Sequence, residues 1–97
     1  MTDDEKIPDA VEIEINGVLD LHYFHPKDLK TLIPDYIEEC HKRGIFSLRI
    51  IHGKGIGAVR DSVHALLKRN PRVMSFQLAE PMAGGWGATL VELKPEP

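Results

Sequence analysis

Ile50-Ile51-His52-Gly53-Lys54-Gly55-Ile56-Gly57 is the stretch around which the chain is organised. An apolar run ends in a histidine. Three glycines and a lysine follow, and then Ile56, Val59, Val63, Leu66 and Leu67 begin a helical stripe. Glycines in such a loop reach positive φ and bring backbone close to a ligand without a Cβ between. The helix behind adds unpaired N–H groups and the positive end of its dipole, so the backbone at Gly53, Gly55 and Gly57 offers a place for a phosphate. The other reading is a tight strand-to-helix turn that needs glycine for geometry alone.

Working outward, Phe46 to Ile51 reads as the strand that feeds this loop. Before it, Leu29, Leu32, Ile33, Tyr36, Ile37 and Cys40 recur at helical steps. Pro34 would interrupt a single helix. The spacing therefore predicts a short turn over 26–30, Thr31 as N-cap and a main helix from Leu32 to Lys42, with Gly44 as its C′ glycine. Val18 to His22 reads as a strand, with Asp20 and His22 on one face. Val11 to Ile15 also alternates, and Asn16-Gly17 is a hairpin signal. A strand, a helix and a strand make a parallel βαβ unit. Beyond the second helix, Asn70-Pro71 is a stop, and Val73 to Glu80 alternates with Met74, Phe76 and Leu78 on one face. Residues 81–87 are a loop, and Ala88 to Leu93 is the last strand. The predicted fold is α/β: a two-layer sandwich of a mixed four- to five-stranded sheet and two main helices, βαβαββ with an added N-terminal strand. Its span is 10–94, between a disordered 1–9 segment and a 95–97 tail.

Composition narrows the function classes. The 97 residues make one domain, and no apolar run approaches the ~20 residues of a membrane span. Residues 1–9 are acidic and lack the apolar core of a secretory signal. One cysteine, Cys40, forms no internal disulfide, which fits a reducing cytoplasm. Its place in a helical stripe favours packing over catalysis. The net charge is −3, yet eight basic residues between Lys42 and Arg72 face only Asp61, so that segment carries +7. This asymmetry predicts a basic surface on an acidic body, or else two solvated helix faces whose charges never converge. Arg60, Lys68 and Arg69 admit both readings. Arg60, beside the glycine loop, is the one grouped with the phosphate contacts.

Parallel strands place His22 and His52 at one carboxyl-terminal edge, where open α/β sheets bind ligands. Asp20 can hold the His22 imidazole in one tautomer, as a general base or acid requires. Lys54 supplies a point charge for phosphate. The candidate catalytic set is Asp20, His22 and His52. His22, His25, His41, His52 and His64 lack a paired-ligand spacing, so no metal and no cofactor is expected. Tyr23, Phe24 and Trp86 are candidate stacking surfaces for bases, with core packing or a lid as the alternative.

Three motifs together carry a resemblance. Leu19-Asp20-Leu21-His22, His52-Gly53-Lys54-Gly55 and Gly84-Gly85-Trp86-Gly87-Ala88-Thr89 resemble the LDLHG, [T/H]GxG and GGxGxT signatures of the small MutS-related (Smr) domain, in its stand-alone form. Order and spacing agree over about Val11 to Leu93. The resemblance implies a domain similar to the carboxyl-terminal domain of a bacterial initiation factor. It also implies DNA or RNA binding, with endonuclease activity in several members. The family positions carry over to Asp20, His22, His52, Gly53, Lys54 and Gly55. In the third motif they are Gly85 and Gly87, as structural loop positions, and Thr89, with Trp86, as a nucleic-acid contact. Tyr23 departs from the family's glycine, and Pro34 falls where other members have an unbroken helix.

Three functions follow as expectations. The first is a nucleic-acid-binding domain with metal-independent nicking of DNA or RNA. The second is a binding module for nucleic acid or the ribosome that does not cleave. The third ranks last, because the loop lacks GxxxxGK[ST]: a protein for small phosphate ligands. No membrane partner is expected, and DNA against RNA and the oligomeric state stay open.

Overall fold

The computed structural model describes residues 14–53, 57–79 and 87–95. Its elements run β1 (Val18–Asp20), α1 (Leu29–Lys42), β2 (Ser47–Ile51), α2 (Ala58–Arg69), β3 (Val73–Leu78) and β4 (Ala88–Leu93). The sheet order is β1-β2-β4-β3. β1 and β2 are parallel, and β4 is antiparallel to both β2 and β3. The sheet is therefore mixed, with the carboxyl ends of β1, β2 and β3 on one edge.

One core holds the two layers together. Leu19, Leu48, Ile50, Val91 and Leu93 of the sheet meet Leu29, Ile33, Tyr36, Ile37 and Cys40 of α1 and Val63 and Leu67 of α2. Cys40 is fully buried there, and burial pushes its thiol pKa up, as befits a packing residue. Among the described residues no helix is long and apolar enough to cross a membrane.

Four expectations about the elements change. First, β1 ends at Asp20 rather than His22, because the Asp20 carboxylate accepts the His22 N–H at 3.0 Å and turns Leu21–Tyr23 into a 3-10 turn. Second, α1 begins at Leu29, behind a 3-10 turn over Pro26–Asp28, so Thr31 is not its cap and Pro34 lies inside it. The helix gives up the bond a Pro34 N–H would make to Lys30, and the burial of Leu29, Ile33, Tyr36, Ile37 and Cys40 offsets the loss. Third, Asn16-Gly17 forms an Asx turn, in which Asn16 Oδ1 accepts Val18 N–H at 2.9 Å. Glu14 and Ile15 are not strand, and the rest of the added N-terminal strand, 11–13, lies outside the described residues. Fourth, a bulge between Val73 and Ser75 breaks the alternation of β3. Val73 and Phe76 turn inward together, and Met74 is left 58% exposed.

The C-terminus of α1 follows its glycine. Gly44 sits at φ +76, Ile45 N–H returns to Cys40 O at 2.9 Å and Gly44 N–H to His41 O at 3.2 Å, a Schellman closure. At the same edge of the sheet Tyr36 stitches α1 to the start of β1. Its hydroxyl accepts Gly17 N–H at 3.0 Å and donates to Val18 O at 3.2 Å. Gly17 has no room for a side chain, since a Cβ would meet Ile45 Cγ2 and Ser47 O at 3.2 Å. Tyr36→Phe strands the buried Gly17 N–H and should cost about 1–3 kcal/mol in urea unfolding. An unchanged midpoint would mean that water replaces the hydroxyl.

Candidate functional site

The site lies where the carboxyl ends of β1 and β2 meet, with Asp20 in register with Ile51. β1 stops in the turn that carries His22, and β2 runs directly into His52 and Gly53. The first pair is open to solvent. Asp20 Oδ1 lies 2.7 Å from His22 Nδ1, with side-chain exposures of 41% and 58%. A carboxylate only accepts, so His22 carries a proton on Nδ1, and in the neutral ring Nε2 is the lone pair. The His22 backbone N–H holds the Asp20 carboxyl below its usual range, and the imidazole adds to this. An exposed pair of this kind contributes little to stability. What it fixes is ring orientation and tautomer.

His22 faces Gly53. A Cβ on Gly53 would sit 3.3 Å from His22 Nε2, and Gly53 has φ +91, so glycine is needed there twice over. The Gly53 N–H and the His52 N–H both donate to Gly87 O at 2.8 Å. The Gly53 amide is therefore engaged within the fold and is not a donor for phosphate. Gly87, expected as a structural loop residue, supplies that carbonyl.

His52 is buried at 8% exposure. Its Nδ1 lies 3.0 Å from Gly53 O and its Nε2 2.9 Å from Thr89 Oγ1. Thr89 is wholly buried, and the same hydroxyl lies 2.8 Å from His64 Nε2. Neither His52 nor Thr89 opens onto the surface as the sequence reading supposed. They form the floor under the Gly53 turn.

His64 is the residue that the sequence reading missed. Four-residue spacing from Arg60 and Lys68 would by itself put it on their face of the helix, opposite the apolar stripe. The structure turns it toward the sheet instead, with its ring 4.9 Å from Phe76 and 6.2 Å from His52. It flanks the buried stripe of Val63 and Leu67, and a polar residue in that position is drawn inward only if the facing strand offers a partner. Thr89, in the third motif, was the available signal.

Gly57 caps α2 at φ +93, and the Arg60 guanidinium folds over it, 2.6 Å from where a Cβ would stand. Arg60 Nε also donates to Asp61 at 3.2 Å. Arg60 thus lies at the helix entrance where the phosphate reading needs it. Tyr23, directly after His22, is 80% exposed. Lys54, Gly55, Gly85 and Trp86 lie outside the described residues. Among the described residues no group of three or more His, Cys, Asp or Glu is placed to hold a metal ion.

Burial, with the neighbouring His52 and Arg60, keeps the His64 pKa below its usual 6.5. The unfolded chain then binds a proton that the folded chain refuses, so stability falls as pH drops from 6.5 toward the folded value. The Asp20 contribution is instead present above 3.8 and lost as pH falls through its lowered value. Urea midpoints at pH 7.5 and 5.5 should therefore decline, and His64→Phe should flatten the decline. A steeper decline in that variant would contradict the burial of His64.

Comparison with known proteins identifies the family. The family model of the Smr domain matches residues 19–94. The chain is 36% identical over 83 residues to endonuclease MutS2 of Clostridium tetani, covering 86% of this chain and 10% of that protein. It is 46% identical over 59 residues to the MutS2 of Thermus thermophilus, covering 61% of this chain and 8% of that protein. It thus spans about a tenth of the length of the curated relatives it matches. The crystal structure of the Smr domain of Thermus thermophilus MutS2 superposes with a TM-score of 0.76 at 36% identity, covering 82% of this chain and all of that one. YdaL, a stand-alone small MutS-related protein from Escherichia coli, gives 0.74 at 27% identity, covering 80% of this chain and 64% of that one.

Proposed function

The chain belongs to the Smr domain family, and from that premise we propose that it binds nucleic acid at the His22 rim and nicks phosphodiesters there without a metal ion. The observation that carries this reading is the exposed Asp20–His22 pair, 2.7 Å apart, whose free Nε2 stands against Gly53 at the sheet edge. A poised imidazole beside a glycine loop and a helix entrance is what phosphate binding with proton transfer requires.

On RNA the step balances with few groups. His22 Nε2 takes the proton of the 2′-hydroxyl, and the 2′-oxygen bonds to phosphorus. The bond from phosphorus to the 5′-oxygen breaks, and that oxygen takes a proton from the Lys54 ammonium or from water. On DNA the nucleophile is a water that His22 deprotonates: its oxygen bonds to phosphorus, the bond from phosphorus to the 3′- or 5′-oxygen breaks, and that oxygen takes a proton from the Lys54 ammonium or from water. Lys54 and Arg60 hold the phosphate as cations, and Trp86 and Tyr23 offer faces for unpaired bases. His52 does not touch the substrate in this scheme. The setting is cytoplasmic.

A second reading, binding without cleavage to nucleic acid or the ribosome, draws on the burial of His52, which leaves one open imidazole at the rim. Anisotropy with labelled single- and double-stranded DNA and RNA at two salt concentrations tests the shared part. Affinity should fall steeply with salt, and Lys54→Ala should weaken binding and lower the logarithmic salt slope by about 1. Salt-independent affinity, or stabilisation by ATP alone, would end the nucleic-acid reading.

A further inference from the structure

The contacts beneath the rim allow their protons to be assigned. Gly53 O is a carbonyl and only accepts, so His52 Nδ1 carries a hydrogen and donates at 3.0 Å. In a neutral His52 the Nε2 is then a lone pair, and the Thr89 hydroxyl, 2.9 Å away, donates to it. Having used its hydrogen, Thr89 Oγ1 accepts from His64, whose Nε2 must be protonated at 2.8 Å. Each of these polar atoms then has its partner inside a site where Thr89 is fully buried. The chain has one direction: His64 Nε2–H to Thr89, Thr89 O–H to His52 Nε2, His52 Nδ1–H to Gly53 O.

We infer that His64 is a positioning residue: by donating to Thr89 it aims the Thr89 hydrogen at His52 Nε2 and so holds the ring whose Nδ1–H pins the Gly53 carbonyl and the turn that faces His22. The physical point is occupancy. While His64 donates to Thr89, the Thr89 hydrogen is directed at His52 Nε2 and leaves no place there for a proton. Protonating both rings would aim two N–H groups at one buried hydroxyl, strand its hydrogen and set two cations 6.2 Å apart. Among the described residues the other ionisable groups recorded nearby are Arg60 and Asp61 on α2 and the Asp20–His22 pair at the end of β1. β3 and β4 contribute Phe76 and Thr89, which do not ionise in this range.

The tautomers are independent of any activity. Only the consequence for the rim rests on the proposed function. Long-range proton–nitrogen correlation spectra of uniformly nitrogen-labelled protein read each ring directly. At pH 7.5 wild type should show two neutral rings of opposite tautomer, Nδ1–H at His52 and Nε2–H at His64. His64→Phe keeps the packing on Phe76 and removes the donor, so the Thr89 hydroxyl is free to turn and the His52 Nε2 resonance should move. Thr89→Ser keeps the hydroxyl and should leave both rings as in wild type. Oligonucleotide affinity or nicking should fall on the order of tenfold in His64→Phe, as for outer partners that hold an imidazole elsewhere. An Nε2–H tautomer at wild-type His52, or a His52 Nε2 resonance unmoved in His64→Phe, overturns the assignment. If His64→Phe does not fold, the wild-type and Thr89→Ser spectra still decide it. A shifted His52 resonance with unchanged oligonucleotide behaviour overturns the link to the rim and leaves the His22 reading standing. Wild type that neither binds nor nicks any oligonucleotide rejects the proposed function instead.

Discussion

His22→Ala should lower phosphodiester nicking by about 10²–10⁴-fold, the range a positioned general base contributes. The loss should appear at saturating substrate, because His22 acts on the reacting proton rather than on the bound phosphate. Oligonucleotide affinity should change little. The fold should not suffer either: the side chain is 58% exposed, and substitutions of that kind stay within about 0.5 kcal/mol. Asp20→Asn separates orientation from charge. An asparagine oxygen can still accept the His22 N–H, but it cannot stabilise an imidazolium, so nicking should fall with the turn intact. The measurement is single-turnover nicking of labelled RNA and DNA by wild type and both variants, purified side by side. If His22→Ala nicks as wild type does, the Asp20–His22 pair is not the catalytic pair, and binding without cleavage becomes the better reading.

Ile50→Ala should cost about 2–5 kcal/mol, out of the 5–15 kcal/mol typical of a whole domain. Ile50 is fully buried in a central strand, between Leu19 of β1 and Thr89 of β4. Its neighbours come from both layers, so they cannot close on the cavity without moving the sheet. The variant should also loosen the rim, because the strand that leads into His52 loses its anchor two residues earlier. Urea unfolding with an unchanged slope and a lower midpoint is the expected result. A loss below ~1 kcal/mol would show that the site collapses freely and that β2 is not the centre of the core.

The corrected elements share one physical origin. Periodicity reports which residues share a face; it does not report where a side chain captures a backbone group. Asp20 ended β1 early by accepting the His22 N–H, and the alternation of Val18 to His22 holds no trace of that bond. Pro34 carries a strong local penalty, yet the apolar stripe of α1 overrode it because the stripe is buried along its whole length. The bulge in β3 shifted Phe76 and Met74 relative to each other, and such a register change is set by pairing with β4.

Local chemistry by itself determined a great deal here. The glycine at the end of α1, the position of β4, the parallel strands that lead toward His22 and His52 and the family motifs are all written in residue order and spacing. Each depends on contacts a few residues apart or on a repeat along one strand or helix. Tertiary structure alone decided which groups at the rim are open and which are closed. His22 stayed in solvent, whereas His52 and Thr89 were covered and His64 was drawn in to join them. Burial of a polar side chain depends on whether another element brings it a partner, and here β4 brought one hydroxyl within reach of two imidazoles that stand 12 positions apart in the chain.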